Sequence, residues 1–252
     1  MIGIVGGVGP YAGLALMQNI FDQTLANKDQ DHLDVAMFNL SSKILDRTEF
    51  LLGEIETNPG YAIAEVLLKL ESAGARVAGI PCNTAHADEI MEIIRIQLNK
   101  AESNIELLSL INSAIQHTKM LLPDVKQVGV LSTTGTNQFG IYQKALEKGE
   151  LQCLEVPRSM QENTIHPAIY DSVYGIKAKA NPVTKRARND LLSGIDYLAQ
   201  QGAEVVIKGC TEIALAVPEN EINGTLLIDP SIALARALIQ ANHPEKLKPI
   251  QQ

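Results

Sequence analysis

Gly74-Ala-Arg-Val-Ala-Gly-Ile-Pro-Cys82 and Gly202-Ala-Glu-Val-Val-Ile-Lys-Gly-Cys210 are two renderings of one phrase. In each, a glycine precedes the cysteine by eight residues and a valine by five. The copies lie 128 residues apart in a chain of 252. The apolar run at 77–80 reads as a strand. The segment 85–98 reads as a helix, with Ile90, Ile93, Ile94 and Leu98 on one face. Upstream, residues 2–5 form a candidate first strand, closed by the glycine turn Gly6-Gly-Val-Gly9 and followed by a helix over 11–26. A strand at 35–40, a helix at 61–72 and a strand at 107–111 complete the half. Strands that are nearly all apolar, each followed by an amphipathic helix, predict a parallel sheet covered on both faces.

The second half repeats the order. A strand at 128–131 is followed by the polar turn Ser132-Thr-Thr-Gly-Thr136, and a short helix begins at 142–146. A helix at 190–200 ends at the C-cap candidate Gly202. Strands at 205–207 and 226–228 carry helices at 211–217 and 231–239. Ile2-Gly-Ile4 pairs with Val128-Gly-Val130 at an offset of 126 residues. Self-similarity of this kind marks an internal duplication. The expected fold is therefore α/β, with two similar lobes related by pseudo-two-fold symmetry. Each is a mainly parallel sheet flanked by helices. The fourth strand sets the lobe boundaries at 1–115 and 116–228, leaving a C-terminal helix in 229–252.

Composition narrows the function. Hydrophobic residues make up 46% of the chain and charged residues 20%, as expected of an ordinary globular core. The net charge of −8, without a Lys/Arg cluster, argues against nucleic acid or an anionic membrane as partner. No apolar run approaches the ~20 residues of a membrane helix. The start of the chain lacks a basic export signal, so a cytoplasmic protein acting on a small molecule is expected. Three cysteines, Cys82, Cys153 and Cys210, make neither a disulfide framework nor a zinc site.

Open parallel sheets bind ligands at the carboxyl ends of their strands. Cys82 and Cys210 both fall there, each ahead of an expected helix, with Asn83, Thr84 and Thr211 as cap residues. A helix N-terminus lowers a thiol's pKa and binds carboxylates through free N–H groups, which predicts accessible thiolates. If the lobes face each other, the two sulfurs point into one cleft from opposite sides. A thiolate/thiol pair so placed inverts a stereocentre beside a carboxylate: one sulfur removes the proton and the other returns one. Cys153 has no such context and reads as a core residue.

At these residues the chain resembles the aspartate/glutamate racemase family of cofactor-independent two-cysteine enzymes. The resemblance spans essentially the whole length. It rests on Gly6-Gly-Val-Gly-Pro10, Asp46-Arg-Thr48, Pro81-Cys-Asn-Thr-Ala-His86, Thr133-Thr-Gly-Thr136, His166-Pro-Ala-Ile-Tyr-Asp171, Tyr174-Gly-Ile-Lys177 and Gly209-Cys-Thr-Glu212. It implies racemisation of an acidic amino acid without PLP or another cofactor, an active site between the lobes, and a homodimer. Cys82 and Cys210 become the acid/base pair. Asn83, Thr84, Thr134 and Thr211 become substrate binders, and Arg47 and Lys177 the cations for the substrate carboxylates. His86, His166 and Glu212 are candidate supporting residues, and the C-terminal helix is expected to pack back on the first lobe. Aspartate is the expected substrate and glutamate a second. Tyr11-Ala-Gly13 departs from the family's small residue and threonine at that place. Related enzymes act on hydantoins, maleate or arylmalonates; the two-cysteine pattern argues against the single-cysteine decarboxylases and leaves the others in play.

Two other classes compete. Gly7-Val-Gly-Pro-Tyr-Ala12 fits a dinucleotide-binding turn, but the second strand ends in Phe38-Asn-Leu40 without the ribose-binding acid. Two lobes around a cleft also describe a non-enzymatic solute-binding protein, against which the paired cysteines argue.

Overall fold

A computed structural model describes residues 1–250. In chain order the elements are β1 (Ile2–Gly6), α1 (Pro10–Gln23), β2 (Val35–Asn39), α2 (Arg47–Leu51), α3 (Gly60–Ser72), β3 (Val77–Gly79), α4 (Asp88–Lys100), β4 (Glu106–Leu108), α5 (Leu110–Leu121), β5 (Gln127–Ser132), α6 (Thr134–Gln138) and α7 (Ile141–Lys148). They continue as β6 (Gln152–Glu155), α8 (Arg158–Met160), a π-turn (Gln161–Ile165), α9 (His166–Tyr170), α10 (Lys185–Gln200), β7 (Val205–Gly209), α11 (Ile213–Ala216), β8 (Glu221–Ile222), β9 (Thr225–Ile228) and α12 (Pro230–Asn242).

The chain divides into two compact units. One comprises residues 1–113 together with 231–252, the other residues 114–230. The first holds a four-stranded sheet in the order β2-β1-β3-β4, parallel throughout. The second holds five strands in the order β6-β5-β7-β9-β8. All pairs are parallel except the short edge strand β8 against β9. Strands β1, β3, β5 and β7 are buried almost throughout, as doubly covered parallel strands must be.

The repetition reaches the packing. Ile2 pairs with Val77 in the first sheet, and Val128 with Val205 in the second, with the registers continuing residue for residue. α3 and α10 end alike. Gly74 (φ 100°) and Gly202 (φ 97°) take the left-handed turn, and the next alanine, Ala75 or Ala203, donates back to Leu70 O or Leu198 O at 3.0 Å. Gly3 sits where a Cβ would lie 3.1 Å from Ala75 and 3.3 Å from Ala78 and Leu70. Gly129 sits where one would lie 3.0 Å from Ala203 and Val206 and 3.2 Å from Leu198. Equivalent residues therefore surround equivalent glycines, and a methyl at either would press its neighbours apart by a few tenths of an ångström.

Three expectations are corrected. Leu110 and Ile111 open α5 rather than close a strand. Ser109 starts the helix, its Oγ accepting from Asn112 N and its carbonyl from Ser113 N. The helix expected from residue 85 is a 3₁₀ turn at Thr84–His86, with α4 starting only at Asp88, and the helix expected from 211 shrinks to the four residues of α11. β6, which carries Cys153, and the helical run 158–170 were not foreseen.

In the first unit, Gly79 has no room for a Cβ, because Leu234 and Leu238 of α12 lie against it. The tail beyond α12 is tied to the end of α1. Leu25 N donates to Lys246 O, Lys248 N to Gln23 O, and buried Arg236 to Gln23 Oε1 and Lys248 O. Among the described residues no helix is long and apolar enough to cross a membrane.

Candidate active site

In the first unit the chemistry-bearing residues gather at the carboxyl ends of β1 and β3. The turn after β1 needs glycine. Gly7 has φ 87°, and a Cβ there would lie 2.7 Å from Ser41 N. α2 begins at Arg47, capped by Asp46, whose carboxylate accepts from Thr48 N at 2.7 Å and Glu49 N at 3.1 Å. The Arg47 guanidinium is buried and donates to Val8 O at 2.9 Å and Leu45 O at 3.0 Å, which fixes it against the glycine turn. α2 also packs against the Thr84–His86 turn.

Cys82, Asn83 and Thr84 are all buried in that turn. His86 Nε2 lies 3.2 Å from Leu110 N, a donor, so this nitrogen accepts. Nδ1 therefore carries the proton and donates to Cys82 O at 2.9 Å. Burial pushes the imidazole pKa down to about 4, against the smaller opposing effect of its bond to the Cys82 carbonyl. His86 is thus a neutral clamp between the Cys82 turn and the start of α5. It holds the cysteine's backbone, and both ring nitrogens are committed to main-chain groups.

In the second unit, Thr134, His166, Lys177, Cys210, Thr211 and Glu212 share one environment. Cys210 comes directly after β7 and is buried against Ile213 and its neighbours. Its Sγ donates to Glu212 Oε2 at 3.2 Å, and Thr211 Oγ1 donates to the same oxygen at 3.3 Å. Lys177 Nζ lies 3.8 Å from Glu212 Oε1 and 5.1 Å from the Tyr170 ring centroid, a cation–π contact. Tyr170 stacks on His166 at 4.9 Å, and His166 Nδ1 is 3.0 Å from Thr134 Oγ1.

The loop that carries Lys177 is pinned at both ends. Asp171 accepts from Val173 N and Tyr174 N, while Ile176 N and Lys177 N donate to Ala168 O and Ile169 O of α9. Thr133 caps α6 with its hydroxyl.

The thiol expected to be acidified by a helix end is instead made less acidic. Burial pushes Cys210 well above its ordinary range and the Glu212 carboxylate pushes the same way, while Lys177 pulls against them. The correction has a structural reason: α11 is four residues long, too short for a strong N-terminal field. Cys153 lies within β6, and its thiol is pushed up to about 12 by burial and then by Glu155 and Glu147.

Two residues without a sequence assignment belong to this group. Gln161 is buried in the π-turn, its amide donating to Ser132 O at 3.1 Å and Thr134 Oγ1 at 3.4 Å. Tyr170 links His166 to Lys177. Only the His166–Tyr170 spacing of four residues signalled a shared helix face. Among the described residues, no group of three or more His, Cys, Asp or Glu side chains is arranged to hold a metal ion.

Comparison with known proteins identifies the family. The profile of the Asp/Glu/hydantoin racemase family matches residues 5–238. Over 245 residues the chain is 24% identical to the broad specificity amino-acid racemase RacX of Bacillus subtilis (strain 168), covering 95% of this chain and 96% of that one. The solved aspartate racemase of Picrophilus torridus is 27% identical, with a TM-score of 0.77 over 98% of this chain and 95% of that chain. Glutamate racemase from Francisella tularensis, at 17% identity and TM-score 0.67 over 100% of this chain and 84% of that one, shares the fold. With two parallel-dominated sheets, a cysteine past the equivalent strand of each, and a family match across nearly its whole length, this chain belongs to the Asp/Glu/hydantoin racemase family and is an isomerase of the racemase class.

Proposed function

We propose that the protein racemises an acidic amino acid, aspartate first and glutamate second, without PLP, using Cys82 and Cys210 as its two bases. The observation that carries the reading is the repeated placement of a buried cysteine just past the strand that pairs with β1 in one unit and with β5 in the other. The reading requires the two thiols to meet opposite faces of one Cα. One sulfur, as thiolate, takes the α-proton, and the electron pair of the broken C–H bond passes into the substrate carboxylate as an enediolate. The other sulfur, as thiol, gives its proton to the opposite face. The enzyme leaves the step with its protonation reversed.

Without an electron-sink cofactor, the developing charge must be met by preorganised donors. Asn83, Thr84, Thr134 and Thr211 fit that work, being buried polar residues beside the cysteines or at the end of β5. Arg47 and Lys177 are the proposed carboxylate partners, one on each unit. The 27% identity to an aspartate racemase favours aspartate. A wider amino-acid range is the second reading, favoured by the full-length similarity to the broad specificity racemase. A cytoplasmic homodimer remains the expected setting.

The test is incubation of each enantiomer of aspartate, and then of glutamate, in D2O without added PLP. Decay of optical rotation with deuterium appearing at Cα is expected. Unchanged rotation and no α-deuterium across the acidic amino acids would overturn the reading.

A further inference from the structure

We propose that Glu212 is a positioning residue that keeps Cys210 protonated in the resting protein, through the 3.2 Å hydrogen bond from Sγ to Oε2, with Lys177 as its counterweight. The inference deepens the two-base reading above and rests on it for its catalytic consequence.

The geometry makes the assignment. A carboxylate oxygen only accepts, so the proton in the Sγ···Oε2 contact belongs to sulfur. Were Cys210 a thiolate, two negative groups would face each other at 3.2 Å in a buried site, and the bond between them would be lost. The titratable groups that face Cys210 are few. Glu212 comes from its own segment and Lys177 from the loop after α9. The remaining neighbours in its cluster are mostly apolar, among them Ile213, Ala216 and Val217. Burial and Glu212 favour the thiol, and Lys177 favours the thiolate. Glu212 is itself fixed by Thr211 Oγ1 on one oxygen and Lys177 on the other.

The consequence for turnover is directional. The resting enzyme presents Cys210 as the acid, so the enantiomer whose α-proton faces Cys82 finds its proton donor already in place. After that step Cys210 is left as thiolate beside Glu212. It regains a proton from solvent, and Cys82 releases the one it took.

The experiment is site-resolved alkylation of the whole protein by iodoacetamide from about pH 6 to 11, bracketing the thiol range. Peptide mass spectrometry reads Cys82 and Cys210 in the same digest. The plateau rate at high pH reports access to each sulfur, and the midpoint reports its ionisation. Glu212→Gln keeps an acceptor oxygen and removes the charge, so the Cys210 midpoint should fall by about one unit or more. Lys177→Gln should raise it. The Cys82 midpoint should stay in place in both variants.

A Cys210 midpoint that stays or rises in Glu212→Gln, or that stays or falls in Lys177→Gln, overturns the proposal. Should Glu212→Gln fail to fold, Lys177→Gln alone decides it. The alkylation profile does not depend on turnover. Absence of racemisation with the shifts present removes the two-base reading and leaves Glu212 in control of Cys210. Racemisation without the shifts removes only this proposal.

Discussion

The ends of β3 and β7 are the same place built twice, and they differ in the residues beyond the cysteine. Up to the sulfur the copies agree in strand register, in the glycine of the neighbouring strand and in the turn that ends the preceding helix. After it, Cys82-Asn-Thr-Ala-His86 closes into a 3₁₀ turn held by a neutral imidazole. Cys210-Thr-Glu212 instead places a carboxylate on the thiol and a lysine on that carboxylate. The duplication keeps the packing that the core needs and lets the residues past each cysteine diverge. The backbone positions that lead to the two sulfurs are shared, while the side chains that follow each sulfur are not.

The comparison breaks most severely if only one strand end matters. Cys82→Ala and Cys210→Ala should each lower racemisation about 10²–10⁴-fold, the span of a general acid or base. Wild-type turnover in either variant, measured by circular dichroism of the substrate, would mean that the two ends are not a pair. A subtler effect concerns Glu212. Enantiomers have equal free energy, so kcat/KM must be the same in both directions. An enzyme biased to one protonation state shows the bias in kcat and KM separately, both higher for the enantiomer served by Cys210 as base. Glu212→Gln should bring the two directions closer. Divergence or no change in full progress curves run from each side would contradict it.

Much of this was legible beforehand. The glycine and valine spacing before Cys82 and Cys210, read as one phrase, placed both sulfurs at strand ends and implied the repeated α/β order, because apolar runs and helical periodicity survive in any surroundings. What was not legible depends on contacts across loops. Lys177 sits in a stretch with no periodicity, and only Asp171 and the carbonyls of α9 fix where it lies. Gln161 stands in a stretch where no element is expected, and its bonds to Ser132 O and Thr134 Oγ1 are what tie it to the site. The acidifying helix end is expected from Thr211 as cap, but α11 starts only at Ile213, with Glu212 as its N-cap, which leaves four residues of helix. Leu110 and Ile111 read as strand because a five-residue stretch with four apolar residues suits either element; Ser109 as cap decides for helix.

Smaller effects sharpen the likeness of the two cores. Gly3→Ala and Gly129→Ala should each cost about 1–3 kcal/mol of unfolding free energy, because the added methyl overpacks equivalent contacts. Denaturant titration should give the two variants similar losses. A neutral result at either site would show that the packing is not shared.

The smallest effect is a slope. His86 has a folded pKa near 4 against an ordinary 6.5, so the unfolded chain binds the extra proton between those values. The stability from neutral His86 is full above about pH 6.5 and is lost as pH falls to about 4. His86→Gln should flatten that part of the stability curve, and an unchanged slope in thermal melts from pH 4 to 7 would contradict the clamp.

The most direct test of the whole account tracks the α-hydrogen through the first turnovers in D2O. With one enantiomer as substrate, chiral separation and mass spectrometry read the isotope in product and in unreacted substrate. Two bases on opposite faces predict deuterium in nearly every product molecule and protium retained in the remaining substrate. Protium carried over into the product, or deuterium entering the substrate before it inverts, would show a single base at work and contradict the pairing of Cys82 with Cys210.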